Sequence, residues 1–227
     1  MVKKLSDISV VIRSKNEERW IGHAIQSILD NLVKPEIIIV DNGSTDKTLE
    51  IVKMFTEDPL LDNNSLNYTK IKIFKINDYT PGKSLNLGVK KASKKYVMFL
   101  SAHCVLKEIN ENEIYNKLKK YVCLFGKQTP VLYGKKISKR YLWSHFHDKI
   151  TENYYSNLEN RYFLHNALAI YNKNILKKFP FDPHLSTKED RYWAGKIISK
   201  KLKFLYFPSL KADHHYTEGG NTWKGLG

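Results

Sequence analysis

The run Ile37-Ile38-Ile39-Val40 is apolar at four consecutive positions without alternation, which predicts a strand buried on both faces of a parallel sheet. Ile8 to Arg13 has the same character and predicts a first strand, ended by the polar break Ser14 to Glu18. From about Glu17 to Asn31 the period becomes helical. Trp20, Ile21, Ala24, Ile25, Ile28, Leu29 and Leu32 share one stripe, with Glu17 and Glu18 expected in the first turn, where the helix dipole favours acids. After the second strand, Asp46 to Phe55 predicts a helix presenting Leu49, Val52 and Phe55, and Thr56 to Thr69 a polar loop. Lys70 to Ile76 alternates and is expected near the sheet edge. Asp78 to Gly82 reads as a turn, followed by a short helix with Leu85, Val89 and Ala92 at helical spacing, then a fourth strand, Tyr96 to Leu100. The β-α-β-α-β-α-β order implies a mostly parallel sheet with right-handed crossovers.

The second half is less periodic. Glu111 to Tyr121 and Lys173 to Phe179 predict helices, while Val122 to Phe125, Tyr162 to Tyr171 and Lys203 to Phe207 predict strands. Ser186-Thr187-Lys188-Glu189 has the form of a capping box opening a helix that carries Ala194, Ile197 and Ile198. Lys139 to Tyr155 is dense in aromatics and His without a clear period, and the tail from His214 reads as a Gly-rich loop.

Chemistry enters at the strand ends, because ligands of open parallel sheets collect there. Asp41 follows the second strand directly. It either simply ends that strand or accepts hydrogen bonds from a bound base or ribose, whereas Asp46 is expected to cap a helix. The 227 residues suffice for one domain with its own core. Two cysteines, Cys104 and Cys123, form neither a disulfide framework nor a zinc pattern and fit a reducing, cytoplasmic setting, with Cys104 read as packing. MVKKLSD is too short and polar for a signal peptide, and no apolar run approaches the ~20 residues needed to cross a bilayer, so the expectation is a soluble or peripheral protein. The net charge of +15 is spread over many Lys pairs. It suits a solvated surface, phosphorylated small molecules or the inner face of an anionic membrane, and with no accompanying motif it does not indicate nucleic acid.

Four segments then occur in order: ISVVIRSKNEERWIGHAIQSIL, EIIIVDNGSTDKTLEI, PGKSLNLGVKKASKKYVMFLSAHC and KEDRYWAGKIISKKLKFLYFPSLKADHH. Together, across roughly residues 7 to 216, they resemble a family 2 glycosyltransferase. The resemblance implies an α/β fold of GT-A type, a mostly parallel central sheet flanked by helices in a single domain, 1–227. Its Rossmann-like nucleotide-sugar half would span about 1–105, and its acceptor and base half about 106–227. It also implies inverting transfer of a sugar from a nucleotide-diphosphate sugar to an acceptor hydroxyl. The expected setting is cell-surface polysaccharide or glycan assembly, on a glycan that can be lipid-linked. The alternative is a catalytically inactive sugar-nucleotide-binding protein of the same fold.

By the same resemblance Arg13, Lys15, Glu17, Asp41, Lys83, Ser101 and His103 would contact the nucleotide, and Asp190 would be the general base. Such enzymes usually end the fourth strand in Asp-x-Asp, which holds a divalent Mn or Mg ion on the donor diphosphate. Here the sequence reads Ser101-Ala102-His103. His103 can ligate Mn or Zn, for which imidazole is a competent ligand, or touch the diphosphate directly as a cation. His215, preferred to His214, would complete such a metal site, and Lys83 and Lys224 could add positive charge. Trp193 would stack on a sugar ring or pack in the core. Glu189 either contacts the acceptor or sugar or completes the capping box, leaving Asp190 to face the cleft. Retention of Asp190 argues against the inactive alternative.

Overall fold

A computed structural model describes residues 6–56, 71–137 and 141–223. Chain order is β1 (Ile8–Ser14), α1 (Ile21–Asn31), β2 (Glu36–Asp41), α2 (Thr48–Met54), β3 (Ile71–Lys75), α3 (Pro81–Lys91), β4 (Tyr96–Ser101), β5 (Cys104–Leu106), α4 (Glu111–Leu118) and β6 (Cys123–Leu132). Four two-residue strands follow: β7 (Lys135–Lys136), β8 (Thr151–Glu152), β9 (Tyr155–Ser156) and β10 (Arg161–Tyr162). The chain continues with β11 (Leu168–Asn172), α5 (Lys173–Lys178), α6 (Glu189–Ser199) and β12 (Phe204–His215).

The main sheet runs β3-β2-β1-β4-β11-β6-β12-β5. β3, β2, β1 and β4 are parallel, as their crossover helices require. β11 is antiparallel to both β4 and β6, so the second half is mixed rather than parallel. β3 lies at the edge, as its alternation predicts. The four-residue run in β2 is explained by the two cores. Ile37 and Ile39 belong to the core that also takes in α1, α2 and α4 on one face, while Ile38 and Val40 belong to the core that takes in α3 and α6 on the other. A Cβ on Gly88 would lie 2.3 Å from Val11, so α3 seats on β1 only because that position has no side chain. Among the described residues no helix is long and apolar enough to cross a membrane.

Several expected boundaries move. α1 begins at Ile21, and Glu17 and Glu18 stand before it, their main-chain N–H groups donating to Thr48 and Asp46 of the neighbouring loop. Pro81 and Gly82 open α3 rather than forming a turn, with Thr80 as the cap that accepts from the Lys83 N–H. The expected loop after Thr56 falls almost wholly outside the described residues, as do Lys70, Lys139, Arg140 and Lys224. β6 is longer than Val122–Phe125, and the expected strand 162–171 splits into β10 and β11. The last strand continues past a bulge at 207–211 to His215, so both tail histidines lie on a strand and not in a Gly-rich loop. The capping box does not form. Lys188, in the left-handed conformation (φ 59°), precedes α6 without a side-chain cap, and Glu189 is free for other work.

Glu36 anchors the amino-terminal end of the sheet. Its buried carboxylate accepts from Ser9 Oγ (2.6 Å), Ser93 N (2.7 Å) and Lys72 Nζ (2.6 Å). Burial by itself raises its pKa, but Lys72, Ser9 and Ser93 together hold it down to about 2. A carboxyl held below its unfolded value stabilises the fold above pH ~4.5, and that contribution disappears as pH falls toward 2. Glu36→Gln is expected to lower stability at pH 7 by up to about 3 kcal/mol and to converge with wild type near pH 2. Denaturant unfolding at several pH values checks this, and parallel curves across the range would refute it.

Candidate active site

The parallel register brings three strand ends to one level, with Ser14 beside Asp41 and Arg13 beside Ser101. The loops after β1 and β2 are joined there by reciprocal hydrogen bonds. Asn16 N donates to Ser44 Oγ (3.0 Å), Thr45 N to Asn16 Oδ1 (2.8 Å) and Lys47 N to Glu18 Oε2 (2.9 Å). Lys47, not Asp46, stands at the cap of α2; Asp46, one residue earlier, accepts from Thr48 N at 3.0 Å and also holds Glu18 N.

Asp41 is completely buried. Its carboxylate accepts from Ser14 Oγ (3.0 Å), Ser44 N (3.0 Å) and Ser44 Oγ (2.5 Å). It therefore ties the second loop to the first strand, and its neighbour Asn42 lines a cavity at these strand ends. Lys83, likewise expected at the nucleotide, pairs with Asp78 at the start of α3.

Two adjoining cavities share Arg13, Tyr79, Ser101 and Thr222. The first, of about 390 Å³, is walled by His165, Asn166, Glu189, Asp190 and Arg191. The second, of about 250 Å³, is walled by Lys15, Glu17, Asn42 and His103. Arg13, Lys15, Glu17, Ser101, His103, Glu189 and Asp190, chosen from sequence, thus lie along one cleft.

Glu189 and Asp190 both line the first cavity, although adjacent helical residues diverge by about 100°. This is possible because both sit at the very start of α6. Glu189 Oε1 lies 3.6 Å from Arg13 Nη1 and accepts from Asn166 Nδ2 at 3.4 Å. Asp190 accepts from Asn166 N (3.1 Å), Arg191 N (2.8 Å) and Arg191 Nη1 (3.0 Å). Burial, reinforced by the charge of Asp190, raises the pKa of Glu189. Burial also opposes ionisation of Asp190, but Arg191 above all, together with the Asn166 N–H, holds its pKa below the ordinary value. Arg191 is itself fixed by Glu159 (3.3 Å), by the Leu164 carbonyl (2.8 Å) and over the Phe163 ring (4.4 Å).

The histidines divide between two sides of β12. His103 Nδ1 is 2.9 Å from Glu17 Oε1. His214, not His215, is near it, with ring centroids 4.8 Å apart. His214 continues through Gln128 (2.8 Å) to His165 (3.1 Å). Burial first, then Arg191, lowers the His165 pKa to about 3, so this ring is neutral. His215 faces the other way and stacks on Trp20 at 4.0 Å. Among the described residues no three His, Cys, Asp or Glu side chains are grouped so as to hold a metal ion. Trp193 is core, its indole N–H donating to the Phe179 carbonyl (2.7 Å). Cys104 and Cys123 are buried and unpaired, in keeping with a packing role.

Sequence reasoning missed Asn166, Gln128 and Arg191. Arg191, directly after two acids, carried a readable signal. Asn166 and Gln128 carried none, because only the tertiary fold sets Asn166 against the first cavity and the buried Gln128 between His214 and His165.

An α/β fold with this sheet order and a cleft across its strand ends is that of a GT-A glycosyltransferase. Staphylococcus aureus TarS, solved as residues 1–349 with UDP-GlcNAc, superimposes with a TM-score of 0.70 at 21% identity, covering 94% of this chain and 59% of that one. The mannosyltransferase PcManGT from Pyrobaculum calidifontis, solved with GDP-Man and Mn2+, gives 0.67 at 15% identity, covering 96% and 59%. Residues 9–179 match the model of Glycosyl transferase family 2, and the chain belongs to that family. An uncharacterised glycosyltransferase of Rickettsia conorii is 35% identical over 96 residues, covering 42% of this chain and 14% of the relative. TarS, by name a poly(ribitol-phosphate) beta-N-acetylglucosaminyltransferase, is 30% identical over 97 residues, covering 41% of this chain and 16% of its own length. The chain thus spans a minor part of these relatives.

Asp41→Ala leaves the Ser14 and Ser44 groups without their acceptor. The expected cost is about 1–3 kcal/mol of stability. Urea unfolding measures it, and an unchanged midpoint would mean the carboxylate is not the tie between the loops.

Proposed function

We propose that this chain is the catalytic domain of an inverting glycosyltransferase that moves a sugar from a nucleoside-diphosphate sugar to an acceptor hydroxyl. The observation that carries this reading is the convergence of Glu189 and Asp190 on a cleft that also contains Arg13 and the ends of β1 and β4. Residues up to about 105 would hold the donor in the second cavity, and the later residues would supply the base and the acceptor side in the first.

Inversion requires attack from the face opposite the leaving diphosphate, with loss of the acceptor proton as the new bond forms. A base must be unprotonated before it acts. Arg191 keeps Asp190 in that state, and Asn166 N–H and Arg191 aim its carboxylate. Asp190 is therefore assigned as the base and Arg191 as its positioning residue. Glu189, whose environment favours a retained proton, is suited to hydrogen-bond a hydroxyl of the acceptor or sugar and to steady Arg13.

The charge of +15 supports action on anionic, phosphate-bearing substrates and on acceptors presented at the inner face of a membrane. Together with the similarity to TarS it supports a role in cell-surface glycan assembly, with a polymeric or lipid-linked acceptor.

Asp190→Asn keeps the size of the side chain but cannot take a proton. Turnover is expected to fall by roughly 10²–10⁴-fold, with donor affinity nearly intact. Glu189→Gln is expected to act mainly on the acceptor or donor KM. Steady-state kinetics on both variants, alongside donor titration, decide between them. A dead Glu189→Gln beside an active Asp190→Asn would move the base to Glu189, and two active variants would place it elsewhere.

A further inference from the structure

We propose that the groove between β10 and the outward face of α6 is a subsite for an anionic saccharide chain, holding the part of the acceptor that lies beyond its reacting hydroxyl. This rests on the glycosyltransferase reading above and names the class of acceptor for that same cleft.

The groove is a third cavity, of about 410 Å³, within the size range of small-ligand sites. Arg161 and Tyr162 of β10 form one wall, and Tyr192, Gly195 and Lys196 of α6 the other. It meets the first cavity at Arg191, which lines both, and Glu159, next in the chain to Asn160 of the groove, lines the first. A chain whose end reaches Asp190 can therefore continue across Arg191 into the groove.

The helix is built in two faces. Trp193, Ala194 and Ile197 are buried in the core. Tyr192, Gly195 and Lys196, at i, i+3 and i+4, share a different face, and Tyr192 leaves 56% of its surface exposed there. A glycine inside a helix costs stability relative to alanine and is usually explained by close packing. Gly88 is such a case, but a Cβ on Gly195 would meet nothing within 4 Å. The fold does not need that gap; a ligand lying beside Tyr192 does.

The opposite wall is held firmly. Tyr155 of β9 meets Tyr162 edge-on, with ring centroids 5.4 Å apart, and its hydroxyl donates to Asn160 Oδ1 at 2.6 Å. Ser156 Oγ lies 2.6 Å from Nε2 of the buried His145, which ties the β9–β10 hairpin to the body of the protein.

The lining selects the occupant. A pyranose has an apolar C–H face and a rim of hydroxyls, and a tyrosine offers the matching combination of flat apolar ring and polar tip. Three cations and no carboxylate line the groove. The charge of Arg191 is already shared between Asp190 and Glu159, which leaves Arg161 and Lys196 to meet a ligand. Arg161 stands over the Tyr192 ring at 5.8 Å, and its Nε donates to the Glu159 carbonyl at 3.1 Å, so its Nη fork is left for a carboxylate or phosphate on the sugar. A neutral glycan would leave these cations unanswered, and a lipid surface calls for a convex face rather than a groove.

The test is calorimetric titration of the full chain with hexagalacturonate as the anionic saccharide, maltohexaose as the neutral one, phosphatidylglycerol vesicles as an anionic surface, and UDP and GDP as donor probes. Thermal melting verifies that every variant is folded. Wild type should bind hexagalacturonate at least about 10-fold more tightly than maltohexaose, and less tightly as salt rises. Gly195→Leu, which fills the groove, should weaken that binding at least about 10-fold while the melting temperature holds or rises. Tyr192→Ala should weaken it about 3–10-fold, and Lys196→Glu about 10-fold or more. Lys90→Glu makes the same charge change on α3, outside the groove, and should stay within about twofold of wild type. None of these substitutions should alter UDP or GDP affinity. Undiminished binding by Gly195→Leu, or equal losses in Lys90→Glu and Lys196→Glu, would overturn the subsite. Vesicle binding that depends on Tyr192, without hexagalacturonate binding, would make the groove a membrane contact and overturn it as well. A nucleotide that binds while hexagalacturonate does not would remove the subsite and leave the glycosyltransferase reading intact. Hexagalacturonate binding with no affinity for either nucleotide would leave a saccharide-binding module, overturning the donor reading and the acceptor role together.

Discussion

Everything in the cleft depends on the register of β1 between β2 and β4. Parallel pairing sets Arg13 beside Ser101 and Ser14 beside Asp41, so the three chains leave the sheet at one height. A shift of one residue would turn every side chain to the opposite face. Arg13 would then leave the cleft, and the two halves of the β2 run would exchange cores. Burial on both faces makes that slip expensive, which is why the strand ends can be placed so closely.

Buried carboxylates secure both ends of this arrangement. Glu36 joins β1, β2 and the loop before β4 at one end through Ser9, Ser93 and Lys72. Asp41 joins β1 to the following loop at the other. Neither acid is spare, because each satisfies donors that would otherwise be stranded in the interior. The consequence for function is indirect but specific. With the loops after β1 and β2 locked together, Glu17 is held where it can orient His103, and the cleft is largely formed before any substrate arrives.

The cleft itself is closely balanced in charge although the protein as a whole carries +15. Arg13 lies near Glu189, and Arg191 is shared between Asp190 and Glu159. The two neighbouring acids are pushed apart by their partners: Arg191 keeps Asp190 ionised, while burial and that fixed charge favour a proton on Glu189. Two adjacent carboxyls in different protonation states can divide the work of taking a proton and donating a hydrogen bond.

The sequence alone determined the βα order, the parallel first half, the buried run in β2, the edge position of β3 and the family. All of these follow from local periodicity or contiguous motifs. It also indicated most residues of the cleft, because strand-end positions in a parallel sheet converge whatever the details. Tertiary structure decided the rest. Asp41 looked available for a ligand, but its serine partners come from another strand and its own loop. Glu189 looked like a cap because Ser186 has the right spacing, yet the left-handed Lys188 turns the chain and sends Glu189 to Arg13. His214 and His215 are indistinguishable by composition. The strand they lie on projects them to opposite faces, one toward His103 and Gln128 and the other onto Trp20. Asn166 lines the first cavity just before β11, and Gln128, paired opposite Ala212, lies buried between His214 and His165, placements set by strands far apart in the chain. Spacing along a chain reports which side of an element a residue occupies, but not which residue from elsewhere will satisfy it.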